Sequence, residues 1–341
     1  ERTEEAEALL MEILTEDPGA ILSRSALAGI YIRDERYTEA FELLEETSTM
    51  RGARNSVFLR LCALDREMEN GLWQEHMMAA KQMDPRDPLP WVREGDWMQE
   101  DGHTEAALVA YRKALELDER SAKALVGIGN IEHRRGNEKL AWEAFEKSIE
   151  YDPIAFEAWY NLGVVAEALE SSQKSIGYYQ KALELQDDHV LTLVNLGNLM
   201  MRAKDYSEAK PYYDRALATA PDDFKANYNY GLLLLATQNI KGAQQKFEAA
   251  CRAEPSEMMA WSQYIRASLQ LQDYENALQG AEVVLSVTPN SPFVLGAAAI
   301  ASAESDRREE AKGFMNRLKE VNAERWQKMI DNNETLRDLV E

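Results

Sequence analysis

Residues 159–167 read Trp-Tyr-Asn-Leu-Gly-Val-Val-Ala-Glu, and the Asn-Leu-Gly at their centre returns as Asn195-Leu196-Gly197 and as Asn229-Tyr230-Gly231. The interval is 34 residues both times. A fixed period of that length marks an array of supersecondary units and has to be tested before any local reading. Stepping by 34 from the central glycine puts Gly95, Gly129, Gly163, Gly197 and Gly231 in register, followed by Ile265 and Ala299. Twelve residues after each comes a small side chain: Ala107, Ala141, Ser175, Ala209, Ala243, Ala277 and Ala311. Four residues before each stands Trp91, Leu125, Trp159, Leu193, Asn227, Trp261 or Leu295, and Pro153, Pro221, Pro255 and Pro289 close four of the units.

Seven units of equal length follow: 88–121, 122–155, 156–189, 190–223, 224–257, 258–291 and 292–325. The frame extends backwards to a weaker unit at 54–87, with Ala80 and Pro85 in place but Trp73 where alanine is usual. Another unit at 21–53 is one residue short and is recognised by Tyr31 and Ala40. A half repeat over 1–20 carries Ala6, Leu10 and Pro18. The chain thus opens inside a unit, which implies a trimmed array, and an upstream signal or anchor stays open. Residues 326–341 leave the pattern and are expected to form a C-terminal capping helix, polar on its outer side.

Within a unit, apolar residues recur at three- and four-residue steps, as in Trp159, Leu162, Gly163 and Ala166 and then Tyr178, Tyr179, Ala182 and Leu183. That spacing predicts two helices per unit, separated by short turns such as Arg135-Gly136-Asn137 and stopped by the prolines. One helix pair cannot bury its apolar face alone, so neighbours must stack into an all-α solenoid.

These residues resemble the tetratricopeptide repeat: 34 residues, Trp-x-x-Leu-Gly early, alanine and an aromatic in the second helix, proline at the end. The resemblance covers about nine units over residues 1–325 and is best at 156–189 and 190–223. It implies a right-handed superhelix whose first helices line a concave groove that holds segments of other proteins, and it implies no chemistry.

Composition narrows the function classes. The chain has 341 residues, 45% of them hydrophobic, so it is long and apolar enough to fold. Sixty acidic against 38 basic residues give a net charge of -22, which repels phosphate backbones and argues against nucleic acid as a partner. The longest nearly apolar stretches, such as 294–303, fall short of the roughly 18 residues that span a bilayer, so no membrane insertion is expected. Cys62 and Cys251 are too few for a disulfide framework, which leaves the compartment of a soluble chain open and slightly favours a reducing, cytoplasmic one.

No catalytic residue, cofactor site or metal site is expected. His76, His103, His133 and His189 are scattered and none sits in a metal-binding pattern. Gly127-x-Gly129 starts like a dinucleotide motif but lacks a third glycine and a preceding strand. A non-enzymatic interaction scaffold that clasps an extended or helical segment of a partner protein and assembles a multiprotein complex is therefore expected.

The resemblance assigns positions 2, 5, 6, 9, 12 and 13 of each first helix to the groove. The candidate partner-binding residues are Asn130, Arg134, Tyr160, Asn161, Val164, Asn195, Asn198, Arg202, Lys225, Tyr228, Asn229, Leu232, Gln263 and Arg266. Asn161, Asn195 and Asn229 all fall at position 6, while Asn130 and Asn198 fall at position 9. Asn130 should face Asn161, and Asn198 should face Asn229. An amide both donates and accepts, so such a row suits the backbone of an extended peptide. It resembles the asparagine ladder of the O-GlcNAc transferase superhelix and the asparagines of carboxylate clamps, but Val126 and Val194 replace the clamp lysine, which makes capture of a free C-terminus doubtful.

At about 0.5–1.5 kcal/mol net per hydrogen bond, five asparagines support micromolar binding, with apolar contacts adding the rest. Groove positions carry slightly more basic side chains (Arg33, Arg66, Arg93, Lys123, Arg134, Arg202, Lys225, Arg266) than acidic ones (Asp65, Asp96, Glu100, Glu157, Glu167, Glu304), which favours a neutral to acidic segment. Two alternatives stay open. One is the substrate-targeting arm of a larger enzyme such as a glycosyltransferase. The other is a homo-oligomeric scaffold assembling through the Ala297-Ala298-Ala299 run or through Leu9, Leu10 and Ile13.

Overall fold

The computed structural model describes residues 2–340, and among them every regular element is an α-helix. They divide into two compact units, residues 1–171 and 172–341. The first holds α1 (Arg2–Glu16), α2 (Ile21–Arg33), α3 (Tyr37–Ser48), α4 (Asn55–Glu67), α5 (Trp73–Met83), α6 (Leu89–Glu100), α7 (Thr104–Leu117), α8 (Ala122–Arg134), α9 (Glu138–Tyr151) and α10 (Phe156–Ala168). The second holds α11 (Ser172–Leu185), α12 (Val190–Arg202), α13 (Tyr206–Thr219), α14 (Phe224–Ala236), α15 (Ile240–Ala253), α16 (Met258–Gln270), α17 (Tyr274–Val287), α18 (Pro292–Glu304), α19 (Arg308–Val321), α20 (Ala323–Asn332) and α21 (Glu334–Val340). In both, consecutive helices pack as pairs, and the second helix of a pair also packs on the first helix of the next.

The turn inside each pair is the same motif. Its second residue has a left-handed backbone: Glu35, Glu69, Gly102, Gly136, Glu170, Lys204, Gln238, Gln272 and Asp306. The residue after it donates its N–H to a carbonyl five back, as Asn137 does to Glu132 and Asp273 to Ser268. This double closure satisfies helix-end carbonyls that would otherwise be orphaned, and it offsets the strain of a left-handed non-glycine residue. The left-handed positions also locate the one-residue contraction. Glu35 and Glu69 are 34 apart, whereas Glu69 and Gly102 are 33 apart. The short unit is therefore the one containing α4 and α5, whose second helix has 11 residues against 14 in α7, and not 21–53 as the apolar pattern alone indicates.

The period is explained by what lies against each glycine. A Cβ built on Gly129 would sit 2.5 Å from the Phe145 ring, and one on Gly197 would sit 2.8 Å from Tyr213. Gly231 bears the same relation to Phe247, and Gly95 to Tyr111. These rings are fully buried, flanked by alanines such as Ala141, Ala209 and Ala216 at 0% exposure. A helix can approach that closely only where no side chain intervenes. The residue four before the glycine has its own role. Trp159 Nε1 donates to the Pro153 carbonyl at 2.8 Å, Asn227 Nδ2 to Pro221 at 2.8 Å and Trp261 Nε1 to Pro255 at 3.0 Å. Tryptophan and asparagine serve alike in these three units because each puts an N–H donor within reach of the proline carbonyl, which Leu125, Leu193 and Leu295 at the same position cannot do.

Two expectations about the ends change. Residues 326–341 do not make one helix: the C-terminal segment breaks at Asn333 between α20 and α21, and the Asn333 side chain caps α21 by accepting from Leu336 N at 3.0 Å. The break lets Leu336 and Leu339 bury against Leu295, Ala299 and Leu318. Ala297, Ala298 and Ala299 are themselves buried in the second unit, so that run is core and cannot be a self-assembly surface. On α1, Leu10 packs against the core around Leu27 and Leu44, while Leu9 and Ile13 remain exposed.

Candidate functional site

The groove residues are best described unit by unit, since each compact unit carries its own set. In the first, Asn161 Nδ2 donates to Asn130 Oδ1 at 2.8 Å, joining α10 to α8 as their positions 6 and 9 require. Tyr160 stacks on Phe156 at 6.3 Å, Val164 is half-buried beside it, and Arg134 is exposed at the end of α8. The Asn130–Asn161 bond uses one donor and one acceptor of the pair.

Next to Asn130 lies a cavity of about 510 Å³ whose lining includes Asp96, Gln99, Glu100, Tyr111, Lys123 and Glu157. Tyr111 donates from its hydroxyl to Asp96 Oδ1 at 2.8 Å. Burial raises the Asp96 carboxyl above its ordinary value, and the tyrosine bond, Arg93 and Lys123 only partly counter it. Gln99 Oε1 is buried with no donor. Asp96, Gln99 and Glu100 occupy groove positions 9, 12 and 13 of their unit, so the frame places them. Their joining with Tyr111 was not legible, because Tyr111 reads as a core aromatic.

Two charges assigned to the groove behave differently. Asp65 is fully buried and holds His76, whose Nδ1 lies 2.6 Å away while Nε2 is 3.0 Å from Glu45. Arg66 is tied to Asp101 at 2.9 Å and lies 5.4 Å from the Trp97 ring centre, so it is a clamp within the fold. A carboxylate on a half-polar stripe turns inward when a histidine on the paired helix meets it, and no spacing rule reports that.

In the second unit the amides divide. Asn195 Nδ2 donates to the Tyr179 hydroxyl at 3.0 Å. Asn198 Oδ1 accepts from the Tyr213 hydroxyl at 2.6 Å, and that bond replaces the expected pairing of Asn198 with Asn229. The tyrosine at the glycine contact reaches through with its hydroxyl to the groove face, whereas Phe247 has none to offer to the next pair. With the Tyr213 hydroxyl given to Asn198, the Asn229 side chain makes no hydrogen bond to the described residues. Gln263, at the same position of the following unit, has Oε1 buried without a donor. Tyr228 stacks on Phe224 at 5.8 Å and tilts against Phe247 at 5.8 Å, with Leu232 in the same cluster. Lys225, Arg202 and Arg266 are exposed beside them. Gln263 thus extends the amide row, and Asn229 and Gln263 are its rungs with spare capacity.

Among the described residues no helix is long and apolar enough to cross a membrane, and no three His, Cys, Asp or Glu side chains are arranged to hold a metal ion.

Consecutive helix pairs that repeat one packing contact at a 34-residue spacing define a helical repeat protein. Two family models described as tetratricopeptide repeat match, one over residues 154–222 and the other over 99–150 and 194–256. Over these residues the chain is built of tetratricopeptide repeats. Among solved structures it is similar to PilF of Pseudomonas aeruginosa, 21% identical with a TM-score of 0.56 over 62% of this chain and 97% of that one, a likeness of fold. YrrB, a tetratricopeptide protein described as having an unusual peptide-binding site, is 26% identical with a TM-score of 0.46 over 54% of this chain and 95% of its own. A tetratricopeptide repeat protein of Parabacteroides merdae is 14% identical with a TM-score of 0.49 over 74% and 97%. Among curated proteins none matches the sequence.

Proposed function

We propose that this protein is a non-enzymatic scaffold that holds an extended segment of a partner protein along the face of its first helices. The observation that supports this most directly is the state of the amide row in the second unit. Asn229 carries a carboxamide with no hydrogen bond, and Gln263 carries a buried acceptor without a donor. A buried acceptor left unmet is costly, and a peptide N–H entering the groove would meet it. The aromatic and aliphatic groups beside the rungs, Tyr228 and Leu232, supply contact area for the segment's side chains. The rungs in the first unit, Asn130 and Asn161, bond to each other and serve mainly to hold α8 and α10 in register.

The test uses peptides selected from a phage-displayed library of random 12-residue sequences, then synthesised and measured by fluorescence anisotropy. Two hydrogen bonds at about 0.5–1.5 kcal/mol each predict about tenfold weaker binding to Asn229→Ala/Gln263→Ala. Asn161→Ala should weaken binding less. Unchanged affinity in the double variant, with circular dichroism intact, refutes the reading.

A further inference from the structure

Beyond the two rungs, the groove face of the second unit ends on a charged feature that the fold does not use. Phe293 opens α18 at its groove position, half-buried. Two guanidinium groups converge on its ring: Arg266 from α16, 5.6 Å from the centroid, and Arg325 from α20, 5.7 Å from it. Arg325 is delivered there by close packing. Met329 occupies the space in which a Gly296 side chain would lie, since a Cβ on Gly296 would be 2.6 Å from Met329 Sδ and 3.8 Å from Arg325 Nε. The missing side chain at Gly296, one turn from Phe293, brings α20 against α18 and Arg325 over the ring.

Neither guanidinium forms an ion pair with the described residues, although the chain has 60 carboxylate side chains. The nearest acids of α20 are otherwise engaged or turned away: Glu324 is paired with Lys328 at 2.7 Å, and Asp331 accepts from Gln327 at 2.9 Å. Glu304 at the end of α18 accepts from Thr335 at 3.0 Å. Two positive groups on one ring, without counter-charge in a chain of net charge -22, are a local inversion of its electrostatics. Cations stay over an aromatic face at small cost, and the outward N–H donors of both forks remain available to a carboxylate.

We propose that Arg266, Phe293 and Arg325 form a subsite for the side-chain carboxylate of a glutamate or aspartate within the bound segment. Arg266 lies one turn beyond Gln263 on α16, so a segment whose backbone meets Gln263 carries a neighbouring side chain to the arginines. An internal acidic residue lets the backbone stay on the rungs on both sides, which a chain terminus does not. This subsite rests on the scaffold reading, and it sets the charge of the segment at one place.

The library is panned on the full chain and on Arg266→Gln/Arg325→Gln. Both residues are exposed, so folding should survive, with circular dichroism as the check. Glutamate and aspartate should be enriched at one position among peptides selected by the full chain, and the enrichment should vanish on the double variant. A selected peptide with that glutamate changed to glutamine should bind about tenfold more weakly at low salt, and the gap should shrink as salt rises. Adding or amidating a free C-terminus should change little. A terminal carboxylate that replaces the internal glutamate overturns the assignment to a side chain. Peptides that depend on Asn229 and Gln263 but show no acidic preference overturn the subsite and leave the scaffold reading standing. A panning that yields no groove-dependent peptide overturns both.

Discussion

Replacing Gly129 by alanine and replacing Gly177 by alanine are the same chemical change in helix interiors, yet they should move stability in opposite directions. A Cβ at Gly177 meets nothing within 4 Å, so Gly177→Ala gains the backbone entropy and propensity of alanine, about 0.5–1 kcal/mol. A Cβ at Gly129 would lie 2.5 Å from Phe145 Cε1 and 2.8 Å from Cδ1 and Cζ. Carbon atoms rest at about 3.5–4.0 Å, so the ring must retreat by about 1 Å. Phe145 is fully buried and has no slack to retreat into. Overpacking of this kind costs about 1–3 kcal/mol, which exceeds the propensity gain and leaves a net loss of about 1–2 kcal/mol. The assay is hydrogen exchange of the amides in α8 and α9 for Gly129→Ala and in α11 for Gly177→Ala, because an array opens locally and a single global midpoint averages over it. The first variant should exchange several-fold faster than the parent and the second several-fold slower. Shortening the ring with Phe145→Leu should cost less in the Gly129→Ala background than in the parent. Equal protection by both alanines would refute the claim that ring contact sets the 34-residue glycine.

Other outcomes follow from single contacts. His189 caps α12 by accepting from Thr192 N, which requires a neutral ring, and burial lowers its pKa, with Asp188 opposing. A depressed folded value means that stability is full above the unfolded value of about 6.5 and is lost as pH falls through the folded one. His189→Ser, which keeps a capping acceptor, should flatten the urea midpoint between about pH 6.5 and 5, and an unchanged pH slope counts against the cap. Cys62 and Cys251 are buried free thiols whose pKa burial pushes up to about 12, with Asp65 and Glu248 adding to the rise. Neither should react with a disulfide reagent at pH 8 until urea unfolds the chain, and rapid native labelling would contradict their placement. Tyr213→Phe removes the donor to Asn198 and should cost about 1 kcal/mol while freeing the Asn198 amide. If Asn198 then acts as a third rung, selected peptides bind more tightly to that variant, whereas equal affinity denies it a place in the groove.

The sequence by itself determined the helix-pair array, because every unit must solve the same packing problem. A glycine has to admit a ring, small residues must let backbones meet, and a left-handed turn must close each first helix, so Gly129, Gly197 and Gly231 announce themselves at a constant spacing. It also named the row of amides, since Asn161, Asn195 and Asn229 share one position beside the packing residues. What the row does was decided only in three dimensions. Whether an amide has spare capacity depends on the tip of an aromatic side chain that enters from the paired helix: Tyr213 engages Asn198 by a hydroxyl that Phe247 lacks, and no single-chain spacing carries that difference. Asp65 turned inward to His76 and the one-residue contraction after Glu69 are of the same kind, settled by partners on other helices and by backbone conformation. The two arginines over Phe293 come from helices 59 residues apart in numbering and meet because Gly296 lets α20 approach. Periodicity records what every unit shares, and a binding site is made of what the units do not share.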